Sequence, residues 1–419
     1  MRFAALKALL KNRNYVIYSA GNAVSLTGTW IHGIAFAWLV WQMTHSPFWL
    51  GAVATAGLAP TLFAGLIGGV MADRMDRLRL TILTQIISFV LTMGLFILYS
   101  LDAINIWLLI LFKILLSTAV AISQPARMAL IPTLVGPSQV GPAVSFGSLV
   151  FNVARFIGPA IAGLIIATAG IGAAFLINSL TFIAMTAAIL SLRLPEGFAR
   201  KPESTKPKES MLAQLKESAA YVRAHGGVLT MFVLLIVAVV FVRPISDFLP
   251  AIVTHVHGRG VEGVAIFTSC VAAGSIVGGI WTAGRDVSGL TQSSLRSAAI
   301  YAGCIAVFVI TPSFLAGCLI FATAGFFASI FTISTQTLIQ ASVEDDMRGR
   351  VMSLFFIISR GGPDLGALLI GIGGELAGLP IVFILGAMGC IVTCGVAWRR
   401  RDQLARALEH IKPIYTAAP

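Results

Sequence analysis

Charge is scarce in this chain. Only 11% of its 419 residues are Asp, Glu, Lys or Arg, against about a quarter in ordinary soluble domains. With 57% of residues hydrophobic, that shortage excludes an ordinary soluble globular protein and points to an integral membrane protein. The net charge of +12 does not imply a nucleic-acid partner. Most of the 29 Lys and Arg fall in short connectors and at both ends, as basic cytoplasmic loops require.

Cysteine is also sparse. All five (Cys270, Cys304, Cys318, Cys390 and Cys394) lie inside apolar runs without zinc-like spacing, so they read as small buried hydrophobes, neither disulfides nor ligands. There is no G-x-x-x-x-G-K-[ST] phosphate loop, no H-E-x-x-H, and no soluble stretch long enough for an enzyme domain. Enzymatic activity, cofactor and metal are accordingly not expected. His255 and His257, beside Arg259 and Glu262, read as a solvated external loop rather than a metal site. No separate cleavable signal is expected, because Met1 to Asn14 is basic and polar and the first apolar run is too long for a signal core.

Long apolar runs are what the chain has. A spanning helix takes roughly 20 apolar residues, and on that basis about twelve spans are expected, near 15–43, 47–72, 80–101, 105–126, 143–168, 172–192, 229–252, 261–284, 293–312, 314–341, 351–376 and 379–398. One side of this layout collects Arg2, Lys7, Lys11, Arg13, Arg74, Arg77, Arg79, Arg127, Arg285, Arg296, Arg348, Arg350 and Arg399 to Arg401, while the other carries almost only Arg259. Basic residues are retained in the cytoplasm, so both termini are expected there. The one long hydrophilic segment, Arg193 to Gly226, contains Pro195, Pro202 and Pro207. Its second part, Ser210 to Ala224, reads as an amphipathic helix with Met211, Leu212, Leu215 and Tyr221 on the apolar side, suited to the membrane interface. The expected division is 1–192, a first half of six spans; 193–228, a cytoplasmic linker; 229–398, a second half of six; and 399–419, a cytoplasmic tail.

Halves of that size invite a search for a repeat. Gly69 has a counterpart in Gly279, and Leu130, Ile131, Val135 and Ser145 recur as Leu338, Ile339, Val343 and Ser353. Arg155 and Pro159 find looser partners in Arg360 and Pro363. The offset stays near about 204–210 residues, as in transporters built from two related halves.

Several side chains stand out within the spans. A charge there costs about 2.5–3.5 kcal/mol on insertion scales and marks a functional position until a partner explains it. Lys113, Arg155, Arg243, Asp247, Arg360 and Asp364 form that set. Arg243 with Asp247, and Arg360 with Asp364, are spaced i, i+4 and would share one helical face. Such a pair serves equally as a static ion pair or as a gate, and Asp364, nearer mid-depth, is the better protonatable site. Lys113 suits either proton coupling or snorkelling to the interface; Arg155 calls for an anionic substrate group or a carboxylate. Asn22, Ser25, Thr29 and His32 form a polar stripe on the first span, expected to face a central cavity, with His32 more commonly neutral than proton-handling. Trp38, Trp41 and Trp49 read as interface anchors.

Between the second and third spans lies Gly69-Val70-Met71-Ala72-Asp73-Arg74-Met75-Asp76-Arg77-Leu78-Arg79. With Gly158-Pro159-x-x-Ala162-Gly163 in span five and the six-plus-six layout, this G-x-x-x-D-R-x-D-R stretch resembles the major facilitator superfamily. Asn22 to Gly28 and Gln124-Pro125-Ala126-Arg127 resemble its bacterial exporter branch, which includes enterobactin and macrolide exporters. The resemblance implies an all-α membrane protein, twelve transmembrane helices in two six-helix pseudo-symmetric halves, the major facilitator fold. It implies a gate in which Gly69 allows a close helix approach and Asp73 faces the positive start of span eleven, with Arg74 and Arg77 alongside and Arg348 and Arg350 adding to it. Asp76 stands where the family usually has Gly. Lys113 occupies the place of the family's span-four Arg, associated with proton coupling. Gly158 and Pro159, with Gly163, resemble the signature of exporters that exchange substrate for protons, with Ala154 and Ala162 where that pattern has Gly, and physically make a bend at which a gate can work.

The implied activity is proton-coupled export of a small amphipathic compound, drug or siderophore, by alternating access. The setting is the bacterial cytoplasmic (inner) membrane, with membrane lipid around a monomer. A lysophospholipid transporter and a non-transporting membrane scaffold or sensor are the alternatives.

Overall fold

A computed structural model of the chain describes residues 8–193, 211–283 and 285–409, without the side chains of Leu66, Val70, Asp73 and residues 211–214. The helices α1 (Arg13–Thr44), α2 (Pro47–Ala56), α3 (Gly65–Arg74), α4 (Arg77–Ser100), α5 (Ile106–Val135) and α6 (Val140–Leu190) precede the linker. After it come α7 (Met211–Ala224), α8 (Gly226–Phe241), α9 (Leu249–His257), α10 (Val261–Ala283), α11 (Leu290–Phe308), α12 (Phe314–Ser342), α13 (Asp345–Ala377), α14 (Leu379–Trp398) and α15 (Arg401–Leu408). Side-chain caps set several starts, since the first amides of a helix need acceptors. Asn12 accepts from Tyr15 N at 3.1 Å, Asn105 from Leu108 N at 3.0 Å, and Asp76 from Leu78 N at 2.8 Å and Arg79 N at 3.2 Å. The acid at position 76, unusual for the motif, is thus the N-cap of α4.

Ten stretches among the described residues are long and apolar enough to cross a membrane. Two features explain the difference from the expected number. Pro137–Leu190 has 54 residues, enough for two crossings, and turns at Gly170, whose φ of 80° and ψ of 173° leave the helical region inside α6. Glycine adopts that conformation without a Cβ clash. Leu290–Phe308, with 19 residues, falls outside the ten because its first half is rich in Ser, Thr, Gln and Arg296.

Two expected spans are not continuous α-helices. The second breaks after α2 at Gly57 and continues through a π turn, Pro60–Ala64, into α3. In the seventh, α8 gives way to a 3₁₀ turn, Arg243–Ser246, with Pro244 in it, before α9 begins. Proline cannot supply the amide that an α-helix would use there.

The chain divides into two compact units. Met1–Thr205 with Arg259–Ser269 forms unit 1, and Lys206–Gly258 with Cys270–Pro419 forms unit 2. Glycines permit the closest helix contacts in each, because a missing Cβ lets backbones meet. In unit 1 a Cβ on Gly68 would fall 2.6 Å from Ile122 Cα, and in unit 2 one on Gly278 would fall 2.4 Å from Phe326 O. Each lies one residue before a glycine matched in the repeat, Gly69 or Gly279. The same holds before the matched prolines: a Cβ on Gly158 would be 2.5 Å from Trp30 Cβ, and one on Gly362 would be 2.5 Å from Val239 Cγ2.

Some expectations require correction. Trp38 and Trp41 are not interface anchors: they are 9% and 1% exposed, inside the protein. Trp49 meets the exposed Trp107 edge to face, with centroids 5.4 Å apart. Of the cysteines, Cys390 and Cys394 are buried as expected, but Cys270, Cys304 and Cys318 are half-buried. His255 and His257 end α9 rather than sitting in a loop, and His257 packs on Phe308 and Phe314. Helix α7 turns a protein-facing side inward: Ser218 and Val222 are buried, Glu217 pairs with Arg350, and the Tyr221 hydroxyl accepts from Glu344 N at 3.4 Å. The side chains of Met211 and Leu212 lie outside the described residues.

Candidate functional site

The polar positions of α1 split when seen in the fold. Asn22 accepts a hydrogen bond from Arg127 of α5, so a guanidinium in the apolar part of the chain has a neutral oxygen beside it. Ser25 is buried, 3% exposed, and Thr29 donates to the Ser25 carbonyl at 2.9 Å. A hydroxyl bonded to its own helix is an economical way to seat Thr in an apolar setting, and Thr29 is exposed. His32 lies between Phe36 and Phe175, with ring centroids 5.4 Å and 5.3 Å away. Its Nδ1 is buried without a hydrogen-bond partner among the described residues.

Lys113 of α5 lies along the break in the second span. A Cβ on Gly57 would meet Lys113 Cε at 3.1 Å and Ser117 Oγ at 3.0 Å. Arg155 of α6 is stationed over Trp30, its guanidinium carbon 5.9 Å from the ring centroid. An aromatic face attracts a cation through its quadrupole. Trp30 is held in turn by Phe151, at 6.1 Å, and by Gly158. Among the described residues, three cations within the spans of unit 1 are seated in this way: Arg127 at Asn22, Arg155 at Trp30, and Lys113 at Gly57.

At the hinge, Asp73 lies in the last turn of α3, and its side chain is outside the described residues. Within unit 1 a Cβ on Gly69 meets no described atom within 4 Å, whereas one on Gly68 would lie 2.6 Å from Ile122 Cα. Arg74 is exposed, and Arg77 donates to the Ala129 carbonyl at 3.4 Å. Arg348 donates to the carbonyls of Gln340 and Val343 and pairs with Asp345 at 2.6 Å; with Arg350 on Glu217, both have partners within unit 2. The backbone of α6 stays helical through Pro159 and breaks only at Gly170 among its residues. Gly163 packs within unit 1, where a Cβ would be 2.6 Å from Ala265 Cβ.

In unit 2 the two charge pairs differ in backbone. Arg360 and Asp364 stand one turn apart on the continuous α13, so their shared face holds. Arg243 opens the 3₁₀ turn, Asp247 ends it, and Arg243 donates to the Ser359 carbonyl at 3.0 Å. At 3.0 residues per turn the face belongs to i and i+3, so their i, i+4 spacing no longer places them on one face.

The comparisons with known proteins join this geometry to a family. A family model described as transmembrane secretion effector matches residues 5–411. The chain belongs to this transmembrane secretion effector family of the major facilitator superfamily. As a member it is an integral membrane transporter. The staphyloferrin A transporter of Staphylococcus aureus is 29% identical over 372 residues, covering 88% of this chain and 90% of its own. The multidrug efflux pump Tap of Mycobacterium tuberculosis is 26% identical over 411 residues, with 95% of each chain covered. Among solved structures, a bacterial homolog of the human lysosomal transporter Spinster covers 98% of this chain at a TM-score of 0.69 and 16% identity, and 99% of its own chain is matched. The nucleoside transporter NupG covers 93% at 0.69 and 13%, with 99% of its chain matched. At those identities the structures attest the fold, an all-α major facilitator fold.

Three contributors in this secretion effector were not among the sequence candidates: Arg127, Trp30 and Gly57. Arg127 was visible only as a basic connector residue and part of Gln124-Pro125-Ala126-Arg127. A cation counted toward membrane orientation can also lie deep enough to meet a polar residue of another span. Trp30, one residue after Thr29, carried no signal in the pattern of polar residues. Gly57, three residues before Pro60, had a weak one, since such a pair marks an irregular helix.

Proposed function

We propose that this transporter exports a small amphipathic compound, a drug or siderophore, from the bacterial cytoplasm in exchange for protons, by alternating access. The single observation that carries the reading is the seating of an intramembrane cation on a neutral group, with Arg127 at Asn22. Neutral partners solvate a guanidinium but leave its charge in place for a substrate or a moving proton. Two relatives named as efflux proteins support export: the multidrug efflux pump Tap and a macrolide efflux protein of Streptococcus pyogenes, 24% identical over 274 residues.

In this reading the chain is a monomer in the inner membrane with both termini cytoplasmic. Gly69 and Asp73, flanked by Arg74 and Arg77, serve the inner gate, and Gly158, Pro159 and Gly163 the flexing of span five. Asp364 is the proton acceptor, one turn from Arg360 on α13. The test is transport by the purified protein in proteoliposomes with an imposed pH gradient, screened across dyes, siderophores and lysolipids. Gradient-dependent movement of a dye or siderophore, lost in Asp364→Asn at unchanged incorporation, is the expected result. Movement of lysolipids alone, or movement indifferent to the gradient, would overturn it.

A further inference from the structure

We propose that Trp398, Arg296 and Arg401 form a binding site for the phosphate of an anionic phospholipid. The site is independent of the export reading and takes from it only the leaflet, the cytoplasmic one. Its first support is a pair of cations brought to one ring. The guanidinium carbon of Arg296, on α11, lies over the Trp398 indole at 4.9 Å from the centroid, and that of Arg401, at the start of α15, lies over it at 5.0 Å. One cation over an indole is favourable; a second on the same ring repels the first until an anion joins them. Membrane orientation asks only for basic connectors. It requires no convergence of two distant segments on one side chain.

The second support is that this charge is held in place and left unbalanced. Leu404 and Leu408 turn the apolar side of α15 inward, 8% and 1% exposed, and a Cβ on Gly227 would lie 3.2 Å from Leu408 Cγ. Just past the helix, the Glu409 carboxylate is taken by the amides of Gly289 and Thr291. Asp402 is then the acid that α15 itself brings to the arginines. It meets Arg401 Nε at 3.6 Å with both side chains largely exposed, a pairing that solvent screens. Arg296, Arg399 and Arg400 are exposed as well, so cations outnumber acids at this end of α14.

The third support distinguishes a lipid from a soluble anion. Trp398 is the last residue of the spanning stretch Leu379–Trp398, at the depth where tryptophan meets headgroups. From Arg296 an open face runs along α11: Ile300 and Val307 are 42% and 48% exposed, and between them a Cβ on Gly303 would meet no described atom within 4 Å. Arg296, Ile300, Gly303 and Val307 fall on one helical stripe. A guanidinium thus heads an apolar strip, which is the order of groups in a phospholipid, phosphate first and chain after it. Guanidinium forks match phosphate oxygens, and basic sites between spanning helices on the cytoplasmic side suit anionic headgroups.

Lipid binding is read without any transport. The purified full-length protein, in mixed micelles with phosphatidylcholine as the reference lipid, is titrated with phosphatidylglycerol, and native mass spectrometry gives the affinity for the first lipid retained. Phosphatidylglycerol should be retained in preference to phosphatidylcholine. Arg296→Gln and Arg401→Gln should each weaken it on the order of tenfold, the loss of one charged hydrogen-bonding partner. Arg399→Gln and Arg400→Gln remove the same charge from exposed neighbours and should weaken it much less. Arg401 opens a short helix at the surface, so its variant keeps the site open to refutation should Arg296→Gln fail to fold. Equal retention of the two lipids by the unaltered protein, or losses no larger at Arg296 and Arg401 than at Arg399 and Arg400, would overturn the site. Unfolding in detergent separates the sources of phosphate: phosphatidylglycerol should raise the unfolding temperature, and inorganic phosphate at equal concentration should not. A rise with inorganic phosphate, with or without the lipid, would give the site to a soluble anion and overturn the lipid. Selective lipid binding by a protein that moves no dye in proteoliposomes would sink the export reading and leave this site standing.

Discussion

Gly158 and Trp30 touch so closely that a single methyl group cannot be added between them: a Cβ on Gly158 would lie 2.5 Å from Trp30 Cβ. The contact fixes the ring over which Arg155 sits. Its repeat partner, Gly362, would meet a methyl of Val239 at the same distance, and a terminal methyl moves more readily than a Cβ. Gly158→Ala should therefore cost about 1–3 kcal/mol, the usual penalty of overpacking, and Gly362→Ala less. Thermal unfolding of both variants in detergent checks the order; an equal loss, or none, would contradict it.

Gly68 and Gly69 separate packing from gating. Gly68→Ala drives a Cβ into the backbone of Ile122, at 2.6 Å from Cα and 2.7 Å from O, and should destabilise by about 1–3 kcal/mol. Gly69→Ala meets none of the described atoms of its own unit and should stay within about 0.5 kcal/mol of the parent. If Gly69 serves the inner gate, that stable variant should nonetheless transport slowly in proteoliposomes. A Gly69→Ala protein that is as stable and as active as the parent would remove the residue from the gate.

Glu409 caps a helix far from it in sequence. The start of α11 has Gly289 at its N-cap, with no side chain to offer, and the Glu409 carboxylate accepts instead from Gly289 N at 2.7 Å and Thr291 N at 2.9 Å. A carboxylate is also favoured at the positive end of a helix. Glu409→Ala should lose about 0.5–2 kcal/mol, the range of a lost cap, visible as a lower unfolding temperature. Glu409→Gln, which keeps an acceptor, should lose less.

The His257 imidazole predicts a response to acid. Burial beside Phe308 and Phe314 lowers its pKa, opposed by a bond to the Pro312 backbone. Between the folded and unfolded pKa values the unfolded chain binds more protons, so stability rises with pH across that window. The contribution is complete above about pH 6.5 and declines as pH falls from there toward the folded value. His257→Phe retains an aromatic group without a proton site, and should show a smaller drop in unfolding temperature than the parent when pH is lowered through that window. An identical drop would place the acid sensitivity elsewhere.

Much of this fold was readable in advance because membrane helices announce themselves by length and apolarity. The expected limits 314–341 and 379–398 became Phe314–Ser342 and Leu379–Trp398. Discontinuities were not readable at that level: hydropathy averages over a window and cannot tell an α turn from the 3₁₀ turn at Arg243 or the π turn at Pro60. Burial of tryptophan was misread for a related reason. A Trp near the end of an apolar run suits the interface, yet Trp41 is held inside by neighbours that no local pattern reveals.

The sequence by itself determined the class of the protein: a chain this poor in charge, with apolar runs of spanning length and basic connectors, has no other solvent than a bilayer. It also determined which charges are costly enough to require an explanation. Only the tertiary structure decided how those charges are seated. Arg127 reaches Asn22 and Lys113 enters the notch at Gly57 because helices distant in sequence pack side by side, and glycine decides how near they come. Helical periodicity sets which way a residue faces, but the identity of what it faces is a property of packing, which lies beyond any single stretch of chain.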